Sequence, residues 1–255
     1  CNSHRKVLLL APSSLIKQFK VKELRNLFLL PTPNGESQKS VQFLDRIWRK
    51  AASIGLERTD AMIGFGGGAT TDVAGFAAAT WLRGISWYAI PTSLAGMVDA
   101  GIGGKTGINS AAGKNLIGSF YSPKKVFIDP HFLESLPKRD ISAGMAEVIK
   151  CGFIADYKIL NLVQEDILDY PQLIFRAVKV KSDVVSKDFK ESKLREILNY
   201  GHTLGHAIEK DSKYKLRHGE AVSIGMIFAA ELSKDLANLS EDAVLLHREL
   251  LRNFN

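Results

Sequence analysis

The chain has 255 residues, and its 34 Lys plus Arg against 27 Asp plus Glu give a net charge of +7. With 45% hydrophobic and 24% charged residues it has enough apolar surface to offset its ordering entropy, which excludes disorder as the main state. Cys1 and Cys151 are the only cysteines and no apolar run reaches the length of a membrane span, so a disulfide scaffold and a membrane-spanning chain are excluded too.

The VLLL run beside His4, Arg5 and Lys6 is too short for a signal peptide, and the expected compartment is the reducing cytosol. Lys6 to Ala11 reads as a buried strand ended by Pro12, and Asn26 to Leu30 as a second ended by Pro31. Only fourteen residues separate Ala11 from Asn26, barely enough for a crossover helix. Ser37 to Ala52 spaces Val41, Leu44, Ile47 and Ala51 as the stripe of an amphipathic helix. Ala61 to Phe65 is a strand, Gly66-Gly67-Gly68 a turn, and Ala69 to Thr80 a helix. Ser86 to Ile90 is a strand stopped by Pro91, and Lys125 to Asp129 is the last strand. After Pro130 the pattern turns helical: Ser142–Phe153, Pro171–Asp188, Ser192–Lys210 and Gly219–Ala237. The expected fold is therefore α/β plus all-α, a parallel-sheet nucleotide-type domain over 1–130 followed by a helical domain over 131–255. The chain starts on Cys and stops in helical sequence, so its ends are expected to be incomplete.

A strand, three glycines and a helix present backbone N–H groups to a phosphate. The run is not G-x-G-x-x-G, because Thr71 stands at the third glycine, and a plain tight turn reads equally well. Asp72 falls in the first turn of the helix, where it would stabilise the dipole. Gly103-Gly104-Lys105-Thr106-Gly107 and Gly113-Lys114-Asn115 set two lysines on glycine-rich backbone. The spacing is not a P-loop. One such segment reads as a flexible surface loop; two together point to an anion site. A pI near 9.3 admits nucleic acid or a small anionic substrate, and the scattered lysines do not choose.

His202, His206 and His218 fall within seventeen residues. Asn199 to His206 reads as helix, which puts His202 and His206 on one face. Thr203 follows His202, so this is no H-E-x-x-H zincin, and an HxxxH pair alone is more often a satisfied surface pair. Two histidines and one carboxylate would make a metal site with an open position. Glu147 is a candidate because it interrupts an apolar helical stretch; its alternative is an exposed partner of Lys150.

Gly66 to Asp72, Arg83-Gly84, Pro91-Thr92-Ser93, Gly103 to Gly107, Gly113-Lys114-Asn115, Ala146 to Lys150, Asn199 to His206 and His218 to Val222 together resemble the 3-dehydroquinate synthase family. The resemblance runs from about Asn34 to about Gly225, and eight ordered motifs are far more specific than any one. The polar loop Ala69-Thr70-Thr71 and Ser93, where the family more often has Thr, are small departures. The family's last helices are expected to be absent or cut short in this sequence.

The resemblance implies a Rossmann-like NAD domain, a helical metal and substrate domain, and conversion of 3-deoxy-D-arabino-heptulosonate 7-phosphate to 3-dehydroquinate and phosphate in the shikimate pathway. It implies zinc, with cobalt as an alternative, on Glu147, His202 and His218. NAD contacts are implied at Asn34, Gly35, Glu36, Ser37, Gln38, Lys39, Gly67, Gly68, Ala69, Thr70, Thr71 and Asp72. Further ones are implied at Thr92, Ser93, Lys105, Lys114, Phe132, Leu133, Glu134 and Ser135. Substrate contacts are implied at Asp99, Lys105, Asn115, Lys150, Lys181, Arg195, Asn199 and His206. Arg83 is expected to reach a neighbouring subunit's phosphate pocket in a homodimer.

A substrate with a carboxylate and a phosphate accounts for the basic balance without nucleic acid. Another sugar-phosphate cyclase, acting on sedoheptulose 7-phosphate, is the first competitor, and a metal-dependent polyol dehydrogenase the second. A structural fragment without activity and a nucleic-acid-binding module rank below them.

Overall fold

The structure is a computed structural model and describes residues 4–254. The chain packs as two compact units, Cys1–Asp129 and Pro130–Asn255.

The first unit is α/β. Its sheet has five strands, β1 (Val7–Pro12), β2 (Leu27–Thr32), β3 (Ala61–Gly66), β4 (Ser86–Pro91) and β7 (Lys125–Val126), all parallel in the order β2-β1-β3-β4-β7. All six residues of β1 are buried, as expected of a parallel strand covered on both faces. The second strand does not stop before Pro31 but runs through it to Thr32. It is an edge strand, where a missing N–H removes no ladder bond. The crossover from β1 to β2 is made by a six-residue helix, α1 (Ser13–Gln18).

The helix expected from Ser37 is two elements. A 3₁₀ turn (Gly35–Gln38) precedes α2 (Val41–Ser53), because the Ser40 hydroxyl accepts from Phe43 N–H at 3.2 Å and caps the helix there. Its buried stripe is Phe43, Leu44, Ile47 and Ala51, whereas Val41 faces solvent. These residues pack on Leu8, Leu10, Met62 and Trp87 of the sheet and on Val73, Ala74 and Ala77 of α3 (Gly68–Thr80). Each such side chain contributes roughly 1.5–3 kcal/mol on burial.

The two glycine-lysine segments are strands. Antiparallel β5 (Lys105–Ser110) and β6 (Gly113–Phe120) form a hairpin. The strand expected over Lys125–Asp129 pairs only at its first two residues.

The second unit is helical. Around α4 (Lys138–Ile154) pack α5 (Tyr157–Leu162), α6 (Tyr170–Lys187), α8 (His218–Ala237) and α9 (Glu241–Arg252). Residues 143 to 152 of α4 are buried without a break, which makes it the central helix. The single helix expected over Ser192–Lys210 is broken into a 3₁₀ segment (Leu194–Asn199) and α7 (His202–Asp211). The break lies at Tyr200-Gly201, where Gly201 has φ +77°. A Cβ there would sit 2.6 Å from Met226 Cγ and 2.8 Å from the Val222 carbonyl, so α7 and α8 approach through this glycine. No helix among the described residues is long and apolar enough to cross a membrane.

Candidate functional site

In the helical unit, α4 carries Glu147 and Lys150 at its buried centre, at 1% and 2% exposure. Their ion pair is therefore buried, not the exposed one that i, i+3 spacing suggests. Lys150 Nζ donates to Glu147 Oε2. The other oxygen, Oε1, has no hydrogen-bond partner. It faces His218 Nε2 at 3.4 Å and His202 Nε2 at 3.8 Å.

His202 is the first residue of α7, and its Nδ1 donates to the Tyr200 carbonyl at 3.1 Å, leaving Nε2 with its lone pair. His218 is the first residue of α8, and its Nδ1 lies 3.0 Å from Glu209 Oε2. His206, one turn after His202 and exposed, has its ring centre 5.3 Å from that of His202 and 5.7 Å from that of His218. Ligand atoms of the three imidazoles lie within 4.8 Å of one another.

Burial would push the Glu147 carboxyl up, but the Lys150 ammonium and the two facing imidazoles hold it well below the usual carboxylate range. Burial first, and then the Lys150 charge, push His202 down to about 4, so it is neutral at pH 7. His218 is raised to about 10: burial opposes its charge, but the Glu147 and Glu209 carboxylates outweigh it. One buried carboxylate oxygen without a donor, opposite two imidazole nitrogens, is a donor set that suits a divalent cation such as zinc.

Two further cations of the resemblance are buried in this unit, Lys181 on α6 at 6% and Arg195 at 2% exposure. Asp188, at the end of α6, fixes the segment that holds Arg195. Its carboxylate accepts from the N–H groups of Ser192, Lys193 and Arg195 at 2.9, 2.9 and 3.0 Å. Arg195 Nη1 donates to the Phe189 carbonyl at 2.6 Å, and Asn199 Nδ2 to Glu191 Oε1 at 3.1 Å. Those N–H bonds hold the Asp188 carboxyl far below the ordinary aspartate range. A lowered pKa contributes stability that is present above the unfolded-state value and lost as pH falls through the folded one. Asp188→Asn is therefore expected to unfold more easily than the parent at neutral pH, and the gap is expected to close as pH falls below roughly 4. Denaturant melts from pH 7 to pH 2 check it.

In the α/β unit, Gly67 precedes α3 with no side-chain cap. Its first N–H groups are thus available to an anion. Asp72 lies beyond the first turn and is not the dipole partner expected of it. It pairs instead with the buried Lys39 at 2.5 Å. Burial raises the Asp72 carboxyl against that pairing. Lys39 Nζ also donates to Asn115 Oδ1. Asn109 Nδ2 donates to Glu36 Oε2 at 2.8 Å, and Asn109 Oδ1 accepts from Asn115 N–H at 3.0 Å. The 3₁₀ turn after β2, α3 and the hairpin are thus knitted together.

Thr32, Gln38 and Thr70 are at most 4% exposed, and Thr32 Oγ1, Gln38 Oε1 and Thr70 Oγ1 have no hydrogen-bond partner. Thr32 is the last residue of β2, and Gln38 and Thr70 follow the C-terminal ends of β2 and β3, where open α/β sheets take ligands. Orphaned polar atoms beside an uncapped helix N-terminus fit a nucleotide such as NAD.

Thr92 N–H bonds the Gly66 carbonyl at 2.9 Å, and Ser93 Oγ accepts from Gly96 N–H at 3.2 Å. Asp99 lies in the π-helical turn Gly96–Ala100, Lys105 opens β5 and Lys114 lies on β6. Asn34 and Gly35 open the 3₁₀ turn, and Ser37 Oγ bonds the Asn34 carbonyl at 2.8 Å. Arg83 is exposed after a kink at Leu82. Phe132, Leu133, Glu134 and Ser135 form a 3₁₀ segment that belongs by packing to the helical unit. Sequence reasoning missed Asn109, Asp188 and Glu209; only Glu209 carried a signal, at i+3 from His206 on the same helix.

Residues 29–143 match the family model for the 3-dehydroquinate synthase N-terminal part, and residues 144–255 the model for its C-terminal part. A 3-dehydroquinate synthase of Mycobacterium leprae is 55% identical over 227 residues, 86% of this chain and 63% of the relative. The chain thus spans somewhat less than two thirds of the length of the curated relatives it matches. Among solved structures, a 2-deoxy-scyllo-inosose synthase complexed with carbaglucose-6-phosphate, NAD⁺ and Co²⁺ superposes with a TM-score of 0.86 at 29% identity, covering 98% of this chain and 74% of that one. A 2-epi-5-epi-valiolone synthase from Streptomyces hygroscopicus subsp. jinggangensis, with NAD⁺ and Zn²⁺ bound, superposes at 0.89 and 26% identity, covering 99% and 75%.

Proposed function

The chain belongs to the 3-dehydroquinate synthase family, and on that basis we propose that it converts 3-deoxy-D-arabino-heptulosonate 7-phosphate to 3-dehydroquinate and phosphate, using NAD and a divalent cation. The observation that carries the reading is Glu147 Oε1, buried, without a donor, and facing Nε2 of His202 and His218. The first unit is the NAD domain and the second the metal and substrate domain.

When bound, NAD supplies reversible hydride transfer and the cation polarises the reacting oxygen. The uncapped N-terminus of α3 receives the pyrophosphate, and Lys39, Asp72, Glu36 and the hairpin asparagines shape its cradle. Glu147, His202 and His218 hold the cation, with zinc or cobalt as the metal. Lys150, Lys181 and Arg195, already stripped of water by burial, bind the substrate's anionic groups more strongly than exposed cations would. Asp188 keeps the Arg195 backbone in place, and Asn199 sits at the end of the same segment. His206, beside the metal ligands and exposed, is the donor for the departing phosphate. On the first unit, Asp99, Lys105, Asn115 and Lys114 are further polar contacts. Arg83 serves a neighbour's phosphate pocket in a homodimer, and the protein works in the cytosol.

The test is incubation with the heptulosonate phosphate, NAD and Zn²⁺. Phosphate and dehydroquinate are expected to appear together, one for one. Absorbance at the NADH band is expected not to grow, since the hydride is returned. Stoichiometric NADH overturns the reading in favour of a polyol dehydrogenase, and turnover of sedoheptulose 7-phosphate instead points to another cyclase.

A further inference from the structure

We propose that Glu209 is the positioning residue of the metal centre, fixing the His218 ring so that its Nε2 faces the cation; this rests on Glu147, His202 and His218 being the ligands. Both histidines of the set have Nδ1 engaged and Nε2 directed to Glu147 Oε1. Their restraints differ. His202 bonds the Tyr200 carbonyl, two residues back, so its orientation follows from the local backbone. His218 opens a helix after a turn, is half-buried, and its Nδ1 bond goes to a carboxylate on another helix, nine residues earlier.

Glu209 is only 5% exposed. A carboxylate is costly to bury unless something charged or hydrogen-bonding meets it. Its Oε2 meets His218 Nδ1 at 3.0 Å. A carboxylate on the far nitrogen of a metal-ligating histidine sets the tautomer and the ring angle. It also adds negative charge to a centre where Lys150 already sits beside Glu147 and a divalent cation must be accepted. His206, three residues before Glu209 on α7, comes to the same cluster from the same helix face.

The test measures metal affinity by chelator competition with Zn²⁺, and the visible band of the Co²⁺-loaded protein, in the parent, Glu209→Ala, Glu209→Gln and His218→Ala. Glu209→Ala is expected to bind on the order of 10–100-fold more weakly, the usual cost of losing such a partner. Glu209→Gln keeps the acceptor but not the charge and is expected to fall between Ala and the parent, with a shifted Co²⁺ band. A folded Glu209 variant of either kind that binds with the parent's affinity and spectrum overturns the proposal, including one whose only defect is a lower Tm without metal. Glu209→Gln is nearly isosteric and carries the test if the alanine variant does not fold. If His218→Ala itself retains the parent's affinity, the ligand assignment fails instead.

Discussion

His202→Ala and His218→Ala are each expected to leave the protein nearly metal-free, whereas His206→Ala keeps its metal and loses rate. Proximity alone does not separate the three, since their ligand atoms lie within 4.8 Å of one another. Glu147 does. Its donorless oxygen faces Nε2 of His202 and of His218, at 3.8 and 3.4 Å. Removing either imidazole leaves a carboxylate and one nitrogen, too few to hold a divalent cation against water. The expected loss of affinity exceeds the roughly 10–100-fold that follows removal of a residue that only orients a ligand. His206 is exposed, and an imidazole clear of the metal can donate to a leaving phosphate. Metal analysis of the three purified variants decides the matter. A metal-free His206 variant beside a metal-loaded His218 variant reverses the assignment.

Gly201→Ala is expected to cost about 2–5 kcal/mol of stability. A left-handed conformation costs a residue with a Cβ roughly 1–2 kcal/mol. Overpacking adds roughly 1–3 kcal/mol, because the new Cβ would lie 2.6 Å from Met226 Cγ, 2.7 Å from Met226 N and 2.8 Å from the Val222 carbonyl. The next residue is His202, so widening the α7–α8 contact also moves a proposed metal ligand. Gly35→Ala is the control. It has φ +61° with nothing within 4 Å of a Cβ, so only the backbone cost of roughly 1–2 kcal/mol applies. Thermal melts of both variants measure the difference, and equal Tm values for the two would show that the helix contact yields without cost.

The parallel strands were legible because strands covered on both faces are runs of apolar residues, as in Val7 to Ala11. The β5–β6 hairpin was not. Lys105, Gly107, Asn109, Gly113, Lys114 and Asn115 are poor strand formers, and only pairing with each other makes them strands. Periodicity carried Ser192–Lys210 as one helix, since a left-handed glycine leaves the spacing on either side intact. At the site, Glu147 stood out as a carboxylate inside an apolar run. Spacing gave its pairing with Lys150 but not the burial, which comes from the helices packed around α4. Asp188 was invisible because its partners are backbone N–H groups that only the fold brings near, and the spacing of Glu209 from His206 did not disclose the His218 ring it meets.

Pro31 has a consequence for how copies of this molecule can meet. A parallel sheet with open sides is a template for intermolecular strand addition, which starts with a row of unpaired N–H and C=O groups. Here one side ends in β2, where Pro31 deletes a donor from that row, and the other in β7, which pairs over two residues only. Neither side offers the long, regular ladder that runaway association requires. Among the described residues the five-stranded sheet is thereby self-terminating: neither of its sides is a good seat for a further strand.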